Sequence, residues 1–360
     1  MSIFMLNRTG IRNFCSSLGS LFPKVLCNGI LAWSYYELLL ITKEFDSNHL
    51  ARAIDFIGLV LVSLCIWTYF LIIRVGAGSP LDFPELLIPY EASENPLVNA
   101  DDTDDELPNR RNNMANLDPP VEYVDMKTSR PGSYRFCNKC HAWKPDRTHH
   151  CSQSGKCILK MDHYCPWFSS CVGYRNHKFF VQELMYISVY AWFVFWVCFA
   201  VLYKVFSSEN IEAEHLTIGL LVLTIVALVF GICVTVFWGF SVYLVLINQT
   251  TIEFQDKRTG YTDGEFRYEF DSQGKKKSVG NIWDLGKRRN WEQVMGKYLY
   301  QWLLPVSITS TSIRDTHKNG LNFEVNEDVY AKWQSNVAMQ EQLNQQLMDY
   351  RDRRISAREA

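Results

Sequence analysis

The sequence predicts an all-α polytopic membrane protein with four transmembrane helices and a cytosolic Cys-rich module between helices 2 and 3. Two observations lead to this fold class. Four long stretches carry almost no charge, and six of the 11 cysteines fall between Cys137 and Cys171. In a reducing compartment, cysteines clustered in this way indicate metal binding or nucleophilic chemistry rather than disulfides.

The four apolar stretches are Val25–Ile41, Phe56–Ile73, Leu184–Tyr203 and Leu216–Ile247. Each meets or approaches the roughly 20 residues that a helix needs to cross a bilayer core of about 30 Å. The fourth stretch is longer than one crossing requires. We therefore expect it to tilt, or to continue as a helix into the cytosol.

Lys and Arg are distributed unevenly between the loops. Residues 42–54 and 204–215 carry two and one of them, whereas residues 1–24 carry three, residues 74–183 carry 13 and the chain after residue 247 carries 17. Because basic loops stay in the cytosol, we expect both termini and the central loop there. No signal peptide is recognisable, so the first span would act as a signal anchor.

These patterns divide the chain into seven expected regions. They are a cytosolic N-terminus (1–24), transmembrane helices 1 and 2 (25–73), a disordered acidic linker (81–130), the Cys-rich module (134–180), transmembrane helices 3 and 4 (184–247), a cytosolic tail (248–310) and a variable C-terminus (311–360). The linker is rich in Asp, Asn, Pro and Glu and should bury no core. The last thirty or so residues read as one Gln-rich helix or as a frayed tail.

Four residues of the module have the spacing of a tetrahedral zinc site. They are Cys137, Cys140, His150 and Cys157. Three further cysteines are left over, namely Cys151, Cys165 and Cys171. Spacing alone leaves open a purely structural zinc ribbon.

Cys165 follows Asp162 and His163 within the run Asp162-His-Tyr-Cys165. A thiol is a poor nucleophile near its free pKa of about 8.5 and improves when a neighbour favours the thiolate. His163 can take the proton, and Asp162 can hold that imidazole in one tautomer. The run therefore indicates a nucleophilic cysteine next to the third span, although a structural histidine would give the same short pattern.

Together these residues resemble the cysteine-rich domain of the DHHC protein S-acyltransferases. The matching runs are Lys144-Pro-Asp-Arg147, His149-His-Cys151, Cys157 to Trp167, Cys171-Val-Gly173 and Asn176. Three stretches outside the module agree with the same family: Thr250-Thr-Ile-Glu253 with its Thr-Thr-x-Glu motif, Asn281 and the following aromatics with its C-terminal motif, and Trp33-Ser-Tyr-Tyr36 with a first-helix segment. The likeness leaves out the acidic linker and the extreme C-terminus.

The resemblance implies a two-step transfer of a long-chain acyl group, palmitoyl by family preference, from acyl-CoA to protein cysteines. Cys165 would carry the acyl group, with His163 as base, Asp162 orienting it and Thr251 supporting Asp162. The expected partners are long-chain acyl-CoA, cytosolic or membrane-associated proteins with acceptor cysteines, and the lipid bilayer, but no nucleic acid. The expected location is the plasma membrane or an endomembrane of the vacuole, Golgi or ER.

Five further positions are implied to hold the acyl-CoA. Ser34 and Tyr190 would bound the deep end of a cavity for the acyl chain between the spans. Arg147, Lys160 and Arg175 would contact the CoA phosphates, with a solvated surface charge as an equal alternative for each.

Two residues depart from the family pattern. Tyr164 stands where the family usually has His, and Ser154 where it usually has Cys; both positions hold the second of two zinc ions in the family. We therefore expect one complete zinc site and a degenerate second one, left with Cys151 and Cys171. Some fungal members also read Asp-His-Tyr-Cys, which favours an active enzyme with fungal relatives.

Four alternatives stay open at this point. Tyr164 and Ser154 could hydrogen-bond in place of the metal, or His141 or His177 could serve as replacement ligands. The whole chain could be a membrane-anchored zinc-binding adapter that has lost catalysis. A zinc-ribbon ubiquitin ligase would explain the Cys/His cluster but not the Thr-Thr-x-Glu stretch.

Overall fold

The computed structural model describes residues 2–43, 45, 47–88, 118–128, 134–207, 217–259, 268–270, 276–278 and 280–359. Within these ranges, four helices are long and apolar enough to cross a membrane, so the chain is a multi-pass membrane protein, as predicted. Two compact units are present. One is Met1–Tyr243 with Val294–Asn322, and the other is Leu244–Gln293 with Phe323–Ala360.

The four long helices are α1 (Ser2–Thr42), α2 (Asn48–Val75), α3 (His177–Ser207) and α4 (Ile218–Leu246). Helix α1 starts near the beginning of the chain, so residues 1–24 are mainly its first turns rather than a separate segment. Helix α4 does not continue past the predicted span. It ends at Leu246, and the chain turns at Asn248, which has a positive φ of 47°.

Helix α2 packs against both α1 and α3 through side chains that are almost fully buried. Gly58 of α2 allows α1 to approach closely, because a Cβ there would lie 2.8 Å from Leu38 Cδ2. Near the ends of the same two helices, Thr42 Oγ1 donates to Asp55 Oδ1 at 2.7 Å. Helix α2 ends at Val75, with Gly76 as its C-cap.

The Cys-rich module consists of three short antiparallel hairpins between α2 and α3. The first pairs β1 (Phe136–Cys137) with β2 (Ala142–Trp143). The second pairs β3 (His149–Cys151) with β4 (Lys156–Ile158), and the third pairs β5 (His163–Cys165) with β6 (Ser170–Val172). Hairpins of this size bury little apolar surface by themselves, so they depend on contacts outside the hairpins, including those with the neighbouring helices.

The prediction of a disordered linker over residues 81–130 is wrong at both ends. Two short 3₁₀ turns, Pro80–Asp82 and Pro84–Leu86, follow α2. Residues 118–128 are also ordered, because Thr128 donates to the buried Asp146 of the module. Apolar side chains scattered through the acidic sequence account for the difference; those packed against Trp143 and Leu159 are Phe83, Leu86, Ile88, Val124 and Met126. The acidic run 101–106 lies outside the described residues.

The rest of the chain forms shorter elements. They are α5 (Thr251–Thr259), a hairpin of β7 (Tyr268–Phe270) with β8 (Lys276–Ser278), α6 (Lys287–Met295), α7 (Leu299–Leu303) and α8 (Glu327–Glu359). Helix α8 bears out the helical alternative for the end of the chain. Helix α7 belongs to the same unit as α3, and the side-chain amide of Gln182 donates to the carbonyls of Gln301, Trp302 and Leu304.

Candidate active site

Strand β5 presents His163 and Cys165 together. Alternate residues of a strand share one side, so both side chains leave β5 in the same direction. His163 Nδ1 lies 2.6 Å from Asp162 Oδ2, and a further hydrogen bond links the imidazole to Cys165. Because Nδ1 faces the carboxylate, Nε2 is the ring nitrogen left for the thiol.

The electrostatics of this group favour a charged imidazole. Burial lowers the pKa of His163, but hydrogen bonds to Asp162 and Cys165 outweigh it and raise the pKa to about 9. At neutral pH the ring therefore holds its proton. A positive charge beside a thiol favours the thiolate, which is the nucleophilic form.

Cys165 is buried at the membrane end of the module. Its thiol belongs to an apolar cluster contributed by α2, α3 and the third hairpin; the other buried members are Tyr69, Ile72, Phe168, Val172, Phe179, Phe180 and Leu184. The ring of Phe180 meets His163 edge-on with centroids 5.1 Å apart. Cys165 thus lies directly at the ends of two membrane-spanning helices.

Asn176 connects the third hairpin to α2. Its side-chain nitrogen donates to the carbonyls of Ile72 (3.2 Å) and Cys171 (3.0 Å), and its oxygen accepts from the N–H of Gly173 (2.9 Å). Gly173 is required here, because a Cβ would lie 2.8 Å from the carbonyl oxygen of Leu159. These contacts give Gly173 and Asn176, two residues of the matching runs quoted above, a role in positioning the third hairpin.

The four predicted zinc ligands converge. The ligand atoms of Cys137, Cys140, His150 and Cys157 all lie within 4.8 Å of one another. His150 Nδ1 is 3.5, 3.3 and 3.8 Å from the three sulfurs, in that order. Tetrahedral zinc, with Zn–S of about 2.3 Å and Zn–N of about 2.0 Å, places sulfur and nitrogen about 3.6 Å apart. The donor set and its spacing therefore fit zinc.

The hairpins bring these ligands together. His150 and Cys157 are cross-strand partners in the second hairpin, while Cys137 lies in β1 and Cys140 in the turn that follows. The hydrogen bond with Cys157 lowers the pKa of Cys137 to about 4 and raises that of Cys157. The lowered pKa of Cys137 favours its thiolate, and a thiolate is the form that binds metal.

The remaining cysteines of the module form a different group. Cys151 Sγ accepts from the N–H of Ser154 at 3.4 Å, and Cys171 Sγ lies 3.6 Å from Ser154 Oγ. Tyr164 is the cross-strand partner of Cys171. The expected hydrogen bonding by Ser154 is therefore present, whereas no bond from the Tyr164 hydroxyl is among the contacts described for this group.

Neither proposed replacement ligand forms a metal-ligand group with Cys151 and Cys171 among the described residues. His141 is exposed in the turn between β1 and β2, and His177 is buried at the start of α3. Among the described residues, metal-ligand spacing is found at Cys137, Cys140, His150 and Cys157.

Ser34 and Tyr190, predicted to act as a pair, are in contact. Ser34 Oγ and Tyr190 Oη lie 3.0 Å apart, and both side chains are buried between α1 and α3. The side chains between this pair and Cys165 are mostly apolar. Such an environment suits an acyl chain.

The three basic residues expected at the CoA phosphates are buried, so none is a solvated surface charge. Arg175 donates to Asp82 at 2.6 Å and lies over the ring of Phe83. Arg147 and Lys160 occupy turns of the module with positive φ.

In the second compact unit, the Thr-Thr-x-Glu stretch begins α5. The Thr250 N–H donates to Glu253 Oε2 at 2.9 Å, and the Glu253 N–H donates to Thr250 Oγ1 at 3.2 Å, which is a capping box. Thr251 is the first residue of the helix. Its support of Asp162 stays a prediction.

Asn281 fixes the turn after α4. Its side-chain nitrogen donates to the carbonyls of Ile247 (2.8 Å) and Asn248 (3.1 Å), and its oxygen accepts from the Trp283 N–H. The sequence pattern identified this residue, and the structure gives it a positioning role.

One buried acidic residue was not predicted. Glu183 precedes the third apolar stretch by one position, so it was counted with the loop. Helix α3 begins six residues earlier, at His177, and Glu183 is 1% exposed within it. An acidic residue directly before a predicted span was the signal available in the sequence.

Comparison with known proteins agrees with this geometry. Residues 131–258 match the family described as DHHC palmitoyltransferase. Palmitoyltransferase PFA3 of Debaryomyces hansenii is 45% identical over 385 residues, covering 98% of this chain and 94% of that protein. Palmitoyltransferase PFA3 of Candida albicans is 45% identical, covering 96% and 94%. Palmitoyltransferase ZDHHC15 of Xenopus laevis is 33% identical, covering 81% and 80%.

Proposed function

Since this chain belongs to the DHHC palmitoyltransferase family and is a protein S-acyltransferase, we propose that Cys165 is its acyl-carrying nucleophile and long-chain acyl-CoA its donor. The observation that carries the proposal is the bonded series Asp162–His163–Cys165 at the ends of two membrane-spanning helices, with Asp162 and Cys165 buried. The products are CoA and an S-acylated cysteine of a substrate protein. Palmitoyl is the expected acyl group.

In the first step, the Cys165 thiolate attacks the thioester carbonyl carbon of acyl-CoA. The bond between that carbon and the CoA sulfur breaks, and the departing CoA thiolate takes the proton held by His163. The raised pKa of His163 supports this role, because the ring carries that proton at neutral pH. Asp162 holds the imidazole so that Nε2 faces the sulfur.

In the second step, the neutral His163 accepts the proton of an acceptor cysteine. The acceptor thiolate attacks the acyl-enzyme carbonyl, and the Cys165 thiolate is released beside the protonated imidazole, which completes the cycle. Thioester exchange is nearly balanced in energy, so the protein contributes chiefly the thiolate and the placement of both partners.

The acyl chain runs from Cys165 between the helices towards Ser34 and Tyr190. The buried contact between these two residues supports this path, because it closes the space between α1 and α3. Arg147, Lys160 and Arg175 are the proposed contacts for the CoA phosphates, although all three side chains are buried and Arg175 is also bonded to Asp82.

Zinc would be held by Cys137, Cys140, His150 and Cys157 and would supply structural stability, not reaction chemistry. The distribution of basic residues supports a cytosolic module and cytosolic termini, on the side where acyl-CoA and acceptor proteins would meet the membrane. Plasma membrane and endomembranes are equally compatible with this arrangement.

Acyl-enzyme formation tests the proposal. Detergent-purified protein is incubated with labelled palmitoyl-CoA beside Cys165→Ser and His163→Ala, with zinc content measured to check folding. We expect label that hydroxylamine releases in the wild type, none on Cys165→Ser, and a loss of about 10²–10⁴-fold in rate for His163→Ala. A zinc-loaded wild type without label would instead identify an adapter.

A further inference from the structure

Glu183 lies within the membrane-spanning part of α3 without a hydrogen-bond partner. Its side chain is 1% exposed, and neither carboxyl oxygen is bonded within the described part of the chain. Burial of an unpaired carboxyl group is costly, and an ionisable residue inside a membrane span usually has a function. The mechanism above does not use this residue.

The position of Glu183 follows from helix periodicity. Glu183 precedes Tyr190 by seven residues, two turns of α3, so both lie on one helix face. Cys27 precedes Ser34 by seven residues on α1 in the same way. Because Ser34 and Tyr190 are in contact, Cys27 and Glu183 face each other two turns nearer to the module. Cys27 indeed interacts electrostatically with both Glu183 and Cys165.

Helix α2 contributes a second unpaired group at this level. Cys65 and Tyr69 both interact electrostatically with Glu183. Thr68 lies on the same face, three residues after Cys65, and its hydroxyl is fully buried without a partner among the described residues. The hydroxyl of Tyr69 does not fill this need, because it donates to the Trp167 carbonyl at 2.7 Å.

The depth of Glu183 and Thr68 along the acyl path can be estimated from positions on α3. Phe180, whose ring contacts His163, precedes Glu183 by three residues, which is about 4.5 Å of helix. Tyr190 lies a further 10.5 Å or so along the axis. Glu183 and Thr68 therefore meet the acyl chain within its first third, close to the thioester.

We propose that Glu183 and Thr68 form a subsite for a hydroxyl group near the thioester end of the acyl chain, so that 3-hydroxyacyl-CoA is a preferred donor. This inference rests on the acyl path in the proposed function. A hydroxyl both donates and accepts a hydrogen bond, and it would pair with the carboxyl of Glu183 and the hydroxyl of Thr68. An unsubstituted chain leaves both groups unpaired, and sites built to bond a substrate hydroxyl discriminate against analogues that lack it.

The test compares three labelled donors: palmitoyl-CoA, 3-hydroxypalmitoyl-CoA and 16-hydroxypalmitoyl-CoA. The readout is the initial rate of acyl-enzyme formation on Cys165 in the full-length protein. We expect 3-hydroxypalmitoyl-CoA to react about tenfold faster than palmitoyl-CoA, equivalent to one good hydrogen-bonded contact. The terminal hydroxyl of the third donor is a position control and should give no gain.

Variants assign the effect to the two side chains. Glu183→Gln keeps a donor and an acceptor and should retain the preference for the 3-hydroxy chain. Glu183→Leu should abolish this preference, because acyl-enzyme formation should become slower with 3-hydroxypalmitoyl-CoA and faster with palmitoyl-CoA. Thr68→Val, which matches threonine in shape, should reduce the preference and provides a second measurement if Glu183→Leu folds poorly.

Each outcome has a defined meaning. Equal rates for palmitoyl-CoA and 3-hydroxypalmitoyl-CoA in the wild type would overturn the subsite, with the acyltransferase activity intact. A preference that Glu183→Leu and Thr68→Val both leave unchanged would also overturn it. No labelling by any donor would overturn the proposed nucleophile and, with it, the subsite.

Discussion

Ser34 Oγ and Tyr190 Oη lie 3.0 Å apart, although 156 positions separate them in the chain. The contact joins α1 to α3 at a level where both side chains are buried. Its place on the proposed acyl path leads to the first prediction.

Tyr190→Ala should favour acyl-CoAs longer than palmitoyl-CoA, because removing the ring opens the deep end of the space between α1 and α3. Acyl-enzyme formation with donors of increasing chain length measures the effect. Tyr190→Phe is the matched control: it loses the bond to Ser34 but keeps the ring, and should leave the chain-length profile unchanged. An identical profile in Tyr190→Ala would remove the pair from the acyl path.

Asp162→Asn should reduce the reactivity of Cys165 near neutral pH. The hydrogen bond to Asp162 helps to raise the pKa of His163 to about 9, so its loss lets the ring give up its proton at lower pH. We expect alkylation of Cys165 by iodoacetamide, followed on its own peptide, to slow about tenfold at pH 7.5. At pH 10, above the pKa of His163, the wild-type ring has lost its proton too, so wild type and variant should react equally. Equal rates at both pH values would contradict the imidazolium–thiolate pair.

The same shift predicts how stability depends on pH. The pKa of His163 rises from 6.5 to about 9 on folding, so its protonated form stabilises the fold. That contribution is complete below about pH 6.5 and is lost as the pH rises through about 9. The difference in melting temperature between wild type and His163→Ala should therefore shrink between these pH values, and a constant difference would argue against the shift.

Purified protein should contain about one zinc ion per chain by elemental analysis. Cys137→Ser removes a ligand from a complete coordination shell and should abolish zinc binding and unfold the module. Cys171→Ser removes a sulfur that contacts Ser154 and is not one of the four zinc ligands, so this variant should keep the zinc. Two zinc ions in the wild type would mean that the second group of cysteines has found replacement ligands.

Ser154→Cys combined with Tyr164→His should create a second zinc site. Ser154 already contacts both Cys151 and Cys171, and Tyr164 is paired across the hairpin with Cys171. The double variant would then offer three sulfurs and one imidazole nitrogen, a common structural zinc set. Elemental analysis should rise from about one to about two zinc ions, and Ser154→Cys alone should bind the second ion more weakly.

Asn281→Ala should destabilise the second unit by about 1–3 kcal/mol, because it leaves two backbone carbonyls without their donor. Arg288→Ala is the control: its bond to Glu292 is exposed, and we expect a change within about 0.5 kcal/mol. Denaturant unfolding in detergent compares them. Equal stability of the two variants would show that the Asn281 contacts are dispensable.

The sequence predicted the parts of this protein that depend on local pattern. Apolar length identified four spans, and cysteine spacing identified Cys137, Cys140, His150 and Cys157, since ligand spacing is fixed by the metal. The pairing of Ser34 with Tyr190 came from family resemblance. Its hydrogen bond is now visible.

What the sequence did not predict depends on tertiary contact. The ends of the acidic linker are ordered because Phe83 and Val124 find an apolar surface that composition cannot reveal. For Arg175 the alternative expectation was a solvated surface charge. Its side chain is instead buried against Asp82, which is distant from it in the sequence. Glu183 was counted with a loop because hydropathy marks where a span is apolar and not where its helix begins.

Two hydrogen bonds described above, from Tyr69 to Trp167 and from Asn176 to Ile72, fix the Cys165 hairpin to the last turns of α2. The sulfur therefore has a set height relative to the bilayer. In the proposed orientation, an acceptor cysteine reaches it only if membrane attachment holds that cysteine at the same height, and attachment raises its local concentration there. We expect such an enzyme to select substrates by where their cysteines lie rather than by the sequence around them.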